Sequence, residues 1–223
     1  MGITIAYQGQ LSDPARVDEM VREVQAFAGH MSWRTWTVAE MVAQGHIKDT
    51  DLRGITVSVD PKCEAVHFHI DDQGRFVNHS YYSYIHNAEE REMFFEAMQN
   101  MVGFMPASTR KPGPELDTFL AEGVTYNWTK TQHGGPAAHV QACTLIRFVR
   151  DRFAPELEVT DDTGYFEHGR LEELAAQMGQ IEQAIHLVQR AAERISQEGG
   201  ASDVPGLIEK LQHYMDEERD MLH

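Results

Sequence analysis

From Leu171 to Ile195 the apolar residues Leu171, Leu174, Met178, Ile181, Ile185, Val188, Ala192 and Ile195 recur three and four apart. That spacing lays a continuous seam along one face of an α-helix. A seam of this kind has to be covered, either by another helix or by the body of the protein. Gly199-Gly200 interrupts it, and Leu207, Leu211, Tyr214 and Met215 supply a second, shorter amphipathic stretch. The pattern predicts a C-terminal helical hairpin or coiled-coil segment over 169–223, paired within the chain or with a second copy.

Upstream, over 1–168, the periodicity changes repeatedly between two and three-to-four residues, which predicts an α+β domain with a mainly antiparallel sheet and packed helices. Ile3 to Tyr7, Trp33 to Val38 and Ile55 to Val59 read as strands, and Val17 to Ala28 as an amphipathic helix entered through Ser12-Asp13-Pro14. Glu64 to Ile70 and Arg75 to Tyr82 flank Asp71-Asp72-Gln73-Gly74, a hairpin signal built on a type I turn and a glycine bulge. The stretch 87–120 reads as an insertion, helical over 87–102, with a Pro/Gly/Lys-rich loop over 106–114. A strand over 124–132 leads into a helix after Gly134-Gly135-Pro136. Leu157 to Val159 is a last short strand, which Gly164-Tyr165-Phe166 extend.

The chain has 223 residues, of which 42% are hydrophobic, enough for a substantial core. Its 35 acidic residues against 19 Lys and Arg leave a formal charge of −16. A field of that sign repels a phosphate backbone, so nucleic acid is not an expected partner, whereas a cationic or protein partner is compatible. Cys63 and Cys143 are the two cysteines, and they form neither a disulfide framework nor a zinc-finger spacing. A reducing, cytoplasmic setting is the expectation. No apolar run approaches the ~20 residues that span a bilayer, and no membrane association is expected.

Several segments resemble a family of uncharacterised bacterial proteins. They are Tyr7-Gln8-Gly9-Gln10-Leu11, Pro61-Lys62-Cys63-Glu64, Lys130-Thr131-Gln132, and Pro155 to Asp161 running on to Tyr165-Phe166-Glu167. That family has no established activity, so the resemblance implies a common fold and no mechanism. The chain departs from it in carrying His67 and His69 on a hairpin strand that is mostly aromatic in the family, and in the segment 87–120.

Three groups of residues have the composition of a site. If Asp71 pairs with Arg75, then His67 faces His79 and His69 lies on the same side of the ladder, close enough for a Zn²⁺ or Ni²⁺ ion. Val66, Phe68, Ile70 and Phe76 make the core side, which leaves the histidines toward solvent or a partner. No acidic fourth ligand is evident from the sequence. The second group is Lys130, Gln132, His133 and His139 around the start of a helix, where free N–H groups and a lysine suit an anion. The third is Asp161, Asp162, Tyr165, Glu167 and His168, of which Tyr165 and Glu167 would complete a ligand site if they meet the second group in space. The leading functional expectation is a non-catalytic interaction or self-associating module. The alternatives are a small-molecule or anion-binding protein or enzyme using 130–139, and a metal protein using His67, His69 and His79.

Overall fold

The computed structural model describes residues 2–48, 50–99, 113–197, 210, 213 and 214, and its architecture is α+β. Among the described residues the strands form two three-stranded sheets. Thr4–Gln8 (β1) is the centre of one, paired antiparallel with Asn127–Lys130 (β5) and Glu158–Asp161 (β6). Arg53–Ser58 (β3) is the centre of the other, between Arg34–Thr37 (β2) and Val66–Ile70 (β4), again antiparallel.

The largest hydrophobic cluster spans both sheets. Val17–His30 (α1) turns Val17, Met20, Val24 and Ala28 inward, and Gly135–Phe153 (α6) contributes Ala142, Cys143, Leu145, Ile146, Val149 and Phe153. These pack with Ile5 and Tyr7 of β1, Ile55 and Val57 of β3, and Val66, Phe68 and Ile70 of β4. At roughly 1.5–3 kcal/mol for each large apolar side chain buried, this cluster is the main source of stability. The Tyr7 hydroxyl crosses between the sheets, donating to the His67 carbonyl at 2.9 Å and accepting from the His67 N–H at 3.1 Å. It therefore fixes the β4 backbone where the first histidine projects.

The hairpin expected after β4 forms only in part. The turn is closed by Asp71, whose Oδ1 accepts from the N–H groups of Gln73 and Arg75, and Gly74 takes a positive φ of 82°. Pairing with Asp71 opposite Arg75 continues through Ile70 with Phe76 and through the Val77 N–H to the His69 carbonyl. At Asn78 the chain leaves the sheet, because the Asn78 side chain accepts from the N–H groups of Ser80 and Tyr81 and starts a helix, His79–His86 (α3). The strand expected over 75–82 is thus a short bridge followed by a helix. Asn87 caps the next helix, Ala88–Gln99 (α4), through Glu89 and Glu90, so the helix expected over 87–102 is preceded by one that the pattern did not signal.

Pro114–Gly123 (α5) packs Leu116 and Leu120 against Tyr81 and Tyr84 of α3 and Phe94 of α4. The region read as an insertion therefore buttresses α3. Thr37 and Glu40 form a reciprocal capping box that opens Val38–Ala43 (α2). Gly164 and Gly169, with φ of 70° and 65°, bracket the short helix Tyr165–His168 (α7), so these residues do not extend β6.

In Leu171–Gln197 (α8) the second and third positions of the apolar seam are spent within the chain. Leu174 and Met178 are buried with Ile3, against Val140, Tyr165 and Ile181, while Leu171 is 54% exposed. The side chains of Ile185, Val188, Ala192 and Ile195, and Leu207, Leu211 and Met215 of the second arm, lie outside the described residues. Arg194 stacks over the Tyr214 ring at 4.2 Å, which places Tyr214 against α8. Among the described residues no helix is long and apolar enough to cross a membrane.

Gly54 sits opposite His69 in the β3–β4 ladder with φ of 128°, and a Cβ there would overlap the Phe68 carbonyl oxygen. Gly54→Ala is expected to cost at least about 2 kcal/mol, read as a lower urea midpoint, because both the φ and the overlap oppose it.

Candidate functional site

Alternation along β4 sends Val66, Phe68 and Ile70 into the core and His67 and His69 to the opposite face. The sequence pattern left that face toward solvent. The structure instead covers it: His69 is fully buried and His67 partly so, because α3 and Met41 of α2 lie over this side. His79, the first residue of α3, completes a triangle with them. The ring centres are 5.2 Å apart for His67 and His69, 5.5 Å for His67 and His79, and 5.2 Å for His69 and His79. One ligand nitrogen from each ring lies within 4.8 Å of the others.

Thr56 on β3 orients two of these rings. Its Oγ1 lies 3.0 Å from His67 Nδ1, 2.9 Å from His69 Nε2 and 3.2 Å from Met41 Sδ. A hydroxyl has one proton and two lone pairs, and the thioether sulfur can only accept. All three contacts are satisfied together only when Thr56 donates to Met41 and both imidazoles donate to Thr56. The lone pairs of His67 and His69 are then on Nε2 and Nδ1 respectively. His69 Nδ1 is buried and has no hydrogen-bond partner.

Burial pushes all three imidazoles toward the neutral form. It holds His67 down to about 4, with the neighbouring His79 adding to the effect. It places His69 well below the ordinary histidine range, and it lowers His79, which Glu90 partly opposes. Neutral imidazole is the form that coordinates a metal.

His79 also lines an open cleft of about 860 Å³ between the α2–β3 loop and the α3–α4 corner. Its walls carry His46, Lys48, Asp51, Tyr82 and Glu90. Ser83 donates to Glu90, and Lys48 lies 3.9 Å from the same carboxylate. The Tyr82 hydroxyl donates to Asp51 at 2.6 Å, and its titration is pushed up by burial and by that carboxylate.

The strand-to-helix region holds a second buried cluster, with a different hydrogen-bond state. His139 Nδ1 is 2.7 Å from Thr131 Oγ1 and Nε2 is 3.1 Å from Asp161 Oδ2. Asp161 also accepts from the N–H groups of Thr163 and Phe166 and from the Thr163 hydroxyl. Cys143, one turn along α6, completes the cluster of potential ligands, but burial, followed by the Asp161 charge, pushes its thiol up and keeps it protonated. Every nitrogen of His139 is used, so this set is a satisfied structural network.

The other residues singled out around it diverge. Tyr165 meets the His139 ring edge-on at 6.0 Å. Lys130 reaches Glu64 at 3.9 Å, while His133 and Glu167 are exposed. Gln132 Nε2 is 3.2 Å from the His133 ring, and its Oε1 is buried without a partner. Thus His139 and Tyr165 come together, through Asp161, and Lys130, His133 and Glu167 project away from them.

Thr56, Met41 and Glu90 were not singled out from the sequence. Thr56 holds an ordinary polar position in the alternating strand Ile55 to Val59, so the sequence carried no signal for it. Comparison with family models, curated proteins and solved structures finds no match for this chain.

Burial raises the Asp161 carboxyl, and the hydrogen bond from His139 and those from the Thr163 and Phe166 N–H groups more than offset it, holding it at about 2. A carboxyl held below its unfolded value contributes stability that is complete above about pH 4 and is lost as pH falls through about 2. Relative to Asp161→Asn, the native chain is expected to lose about 2 kcal/mol of unfolding free energy over that window, measured by urea denaturation at successive pH values.

Proposed function

We propose that the chain is a metal-binding protein that holds one divalent transition ion, of the zinc or nickel class, at His67, His69 and His79. The observation that carries the reading is His69 Nδ1, a buried ring nitrogen with no partner, on one of three imidazoles that cluster together. Leaving such a group bare costs about 1–3 kcal/mol, which a coordinate bond removes. His139, buried in the same protein, shows the alternative, with both nitrogens hydrogen-bonded.

The spacing of the rings supports the same reading. Three imidazoles sharing a tetrahedral ion through bonds of ~2.0–2.1 Å hold their ring centres roughly 5 Å apart. The observed separations are 5.2 to 5.5 Å. Coordination draws the ligand nitrogens together from within 4.8 Å to about 3.3 Å, a change that small rotations of the rings supply. Thr56 has the role of an outer partner that accepts the remaining N–H of two ligands and fixes which nitrogen faces the ion. The rival reading, a self-associating module, draws on the apolar seam of α8, whose first buried positions are already used within the chain.

Zinc added to chelator-treated protein at 100-fold over its Kd is expected to stabilise the fold by about 2.7 kcal/mol, or roughly 5–10 °C in Tm. His69→Ala abolishes that rise, and an unchanged Tm of the native chain at saturating zinc and nickel sinks the proposal. Thr56→Val, which removes the shared acceptor at nearly constant volume, is expected to weaken zinc binding about 10–100-fold by isothermal titration.

A further inference from the structure

We infer that the ion held by His67, His69 and His79 keeps one coordination position open to the cleft, and that this position takes water or a small anion with an oxygen or nitrogen donor, which hydrogen-bonds to Glu90 when it can donate. This rests on the metal reading above and assigns the site its ligand class.

The first support is the ligand count. Among the described residues, neither a carboxylate nor a thiol joins the three imidazoles within 4.8 Å. Three protein ligands and a fourth exchangeable one is the arrangement of reactive zinc sites, whereas purely structural sites are closed by four protein ligands. Direction is the second. His79 belongs both to the triangle and to the lining of the cleft, so the side of the ion next to His79 faces a space of about 860 Å³, large enough for a small molecule.

The position of Glu90 is the third. Ser83 lies four residues after His79 on α3, hence on the same helix face, about 6 Å away between Cβ atoms. The Ser83 hydroxyl donates to Glu90, which anchors the carboxylate about one helical turn from His79, in the lining of the same cleft and outside the ligand set. Its side chain is 21% exposed and it is shared with Lys48 at 3.9 Å. A carboxylate so held is placed to accept from a group bound to the ion.

Charge decides the ligand class. Three neutral imidazoles leave both positive charges of the ion uncompensated by its ligands. Glu90 offsets at most one of them, and Lys48 reduces that offset. The net charge of −16 opposes anions at long range, but it is screened beyond about 10 Å at 0.1 M salt, so the local field governs binding at the site.

The test uses the full chain, freed of metal and reloaded with one equivalent of Co²⁺, whose visible bands report its coordination. Azide, which carries no hydrogen-bond donor, and acetohydroxamate, which carries one, are each titrated against those bands. Both are expected to change the spectrum saturably. Glu90→Gln is expected to tighten azide severalfold, by removing a like charge, and to weaken acetohydroxamate about tenfold, by removing a charged acceptor. Ser83→Ala, which frees Glu90, shifts acetohydroxamate in the same direction. Cobalt bands that develop but respond to neither anion show a closed coordination sphere and overturn the inference, while leaving the metal reading standing. Equal effects of Glu90→Gln on the two anions remove Glu90 from the site. If no cobalt bands develop, the metal reading fails and the inference with it.

Discussion

Antiparallel pairing of β3 with β4 places Thr56 opposite His67 and Gly54 opposite His69. On that face of the ladder, Thr56 is directly across from one histidine and diagonal to the other, within reach of both rings. A slip of one residue would turn Val66, Phe68 and Ile70 away from the core and put the histidines in their place. Those three apolar side chains are each at most 1% exposed, and burying them contributes roughly 1.5–3 kcal/mol apiece. That sum exceeds the about 1–3 kcal/mol lost by leaving one imidazole nitrogen bare on the other face. The hydrophobic face therefore maintains a polar arrangement that is unfavourable when taken alone.

The two buried histidine clusters show that ligand composition does not decide chemistry. His139, Cys143 and Asp161 have a richer donor set than three histidines, yet each of their strong hydrogen-bonding groups is already occupied. Asp161 is held ionised by its donors, and Cys143 is held protonated by burial. Around His67, His69 and His79 the hydrogen bonds converge on one hydroxyl with a single proton, which accounts for only one nitrogen on each of His67 and His69. His69 Nδ1 is left over, buried and without a partner. Tyr7, which grips the His67 backbone from the other sheet, keeps the triangle from relaxing as a local loop would.

Alternation made the shared face of His67 and His69 legible, and the turn residues Asp71 to Gly74 set the register that brings the chain back beside them. The α+β class and the helix after Gly134-Gly135-Pro136 followed from the same two periodicities. His79 was expected on the correct side for a different reason from the real one. Arg75 to Tyr82 alternates like a strand, but Asn78 caps a helix, so His79 enters the site from a helix start. Burial of the site was illegible because the cover comes from α2 and α3, whose packing depends on tertiary contacts. Glu90 was missed because a carboxylate in an acidic helix carries no signal until Ser83 and Lys48 are seen to hold it.

The most direct measurement is an anomalous difference map, collected at the zinc edge, from crystals of the native chain grown with one equivalent of zinc. The expected result is a single strong peak bonded to His67 Nε2, His69 Nδ1 and one nitrogen of His79, with Thr56 Oγ1 still between the first two rings. Absence of a peak within the triangle, or a peak that instead selects His139, Cys143 and Asp161, contradicts the assignment of the metal centre.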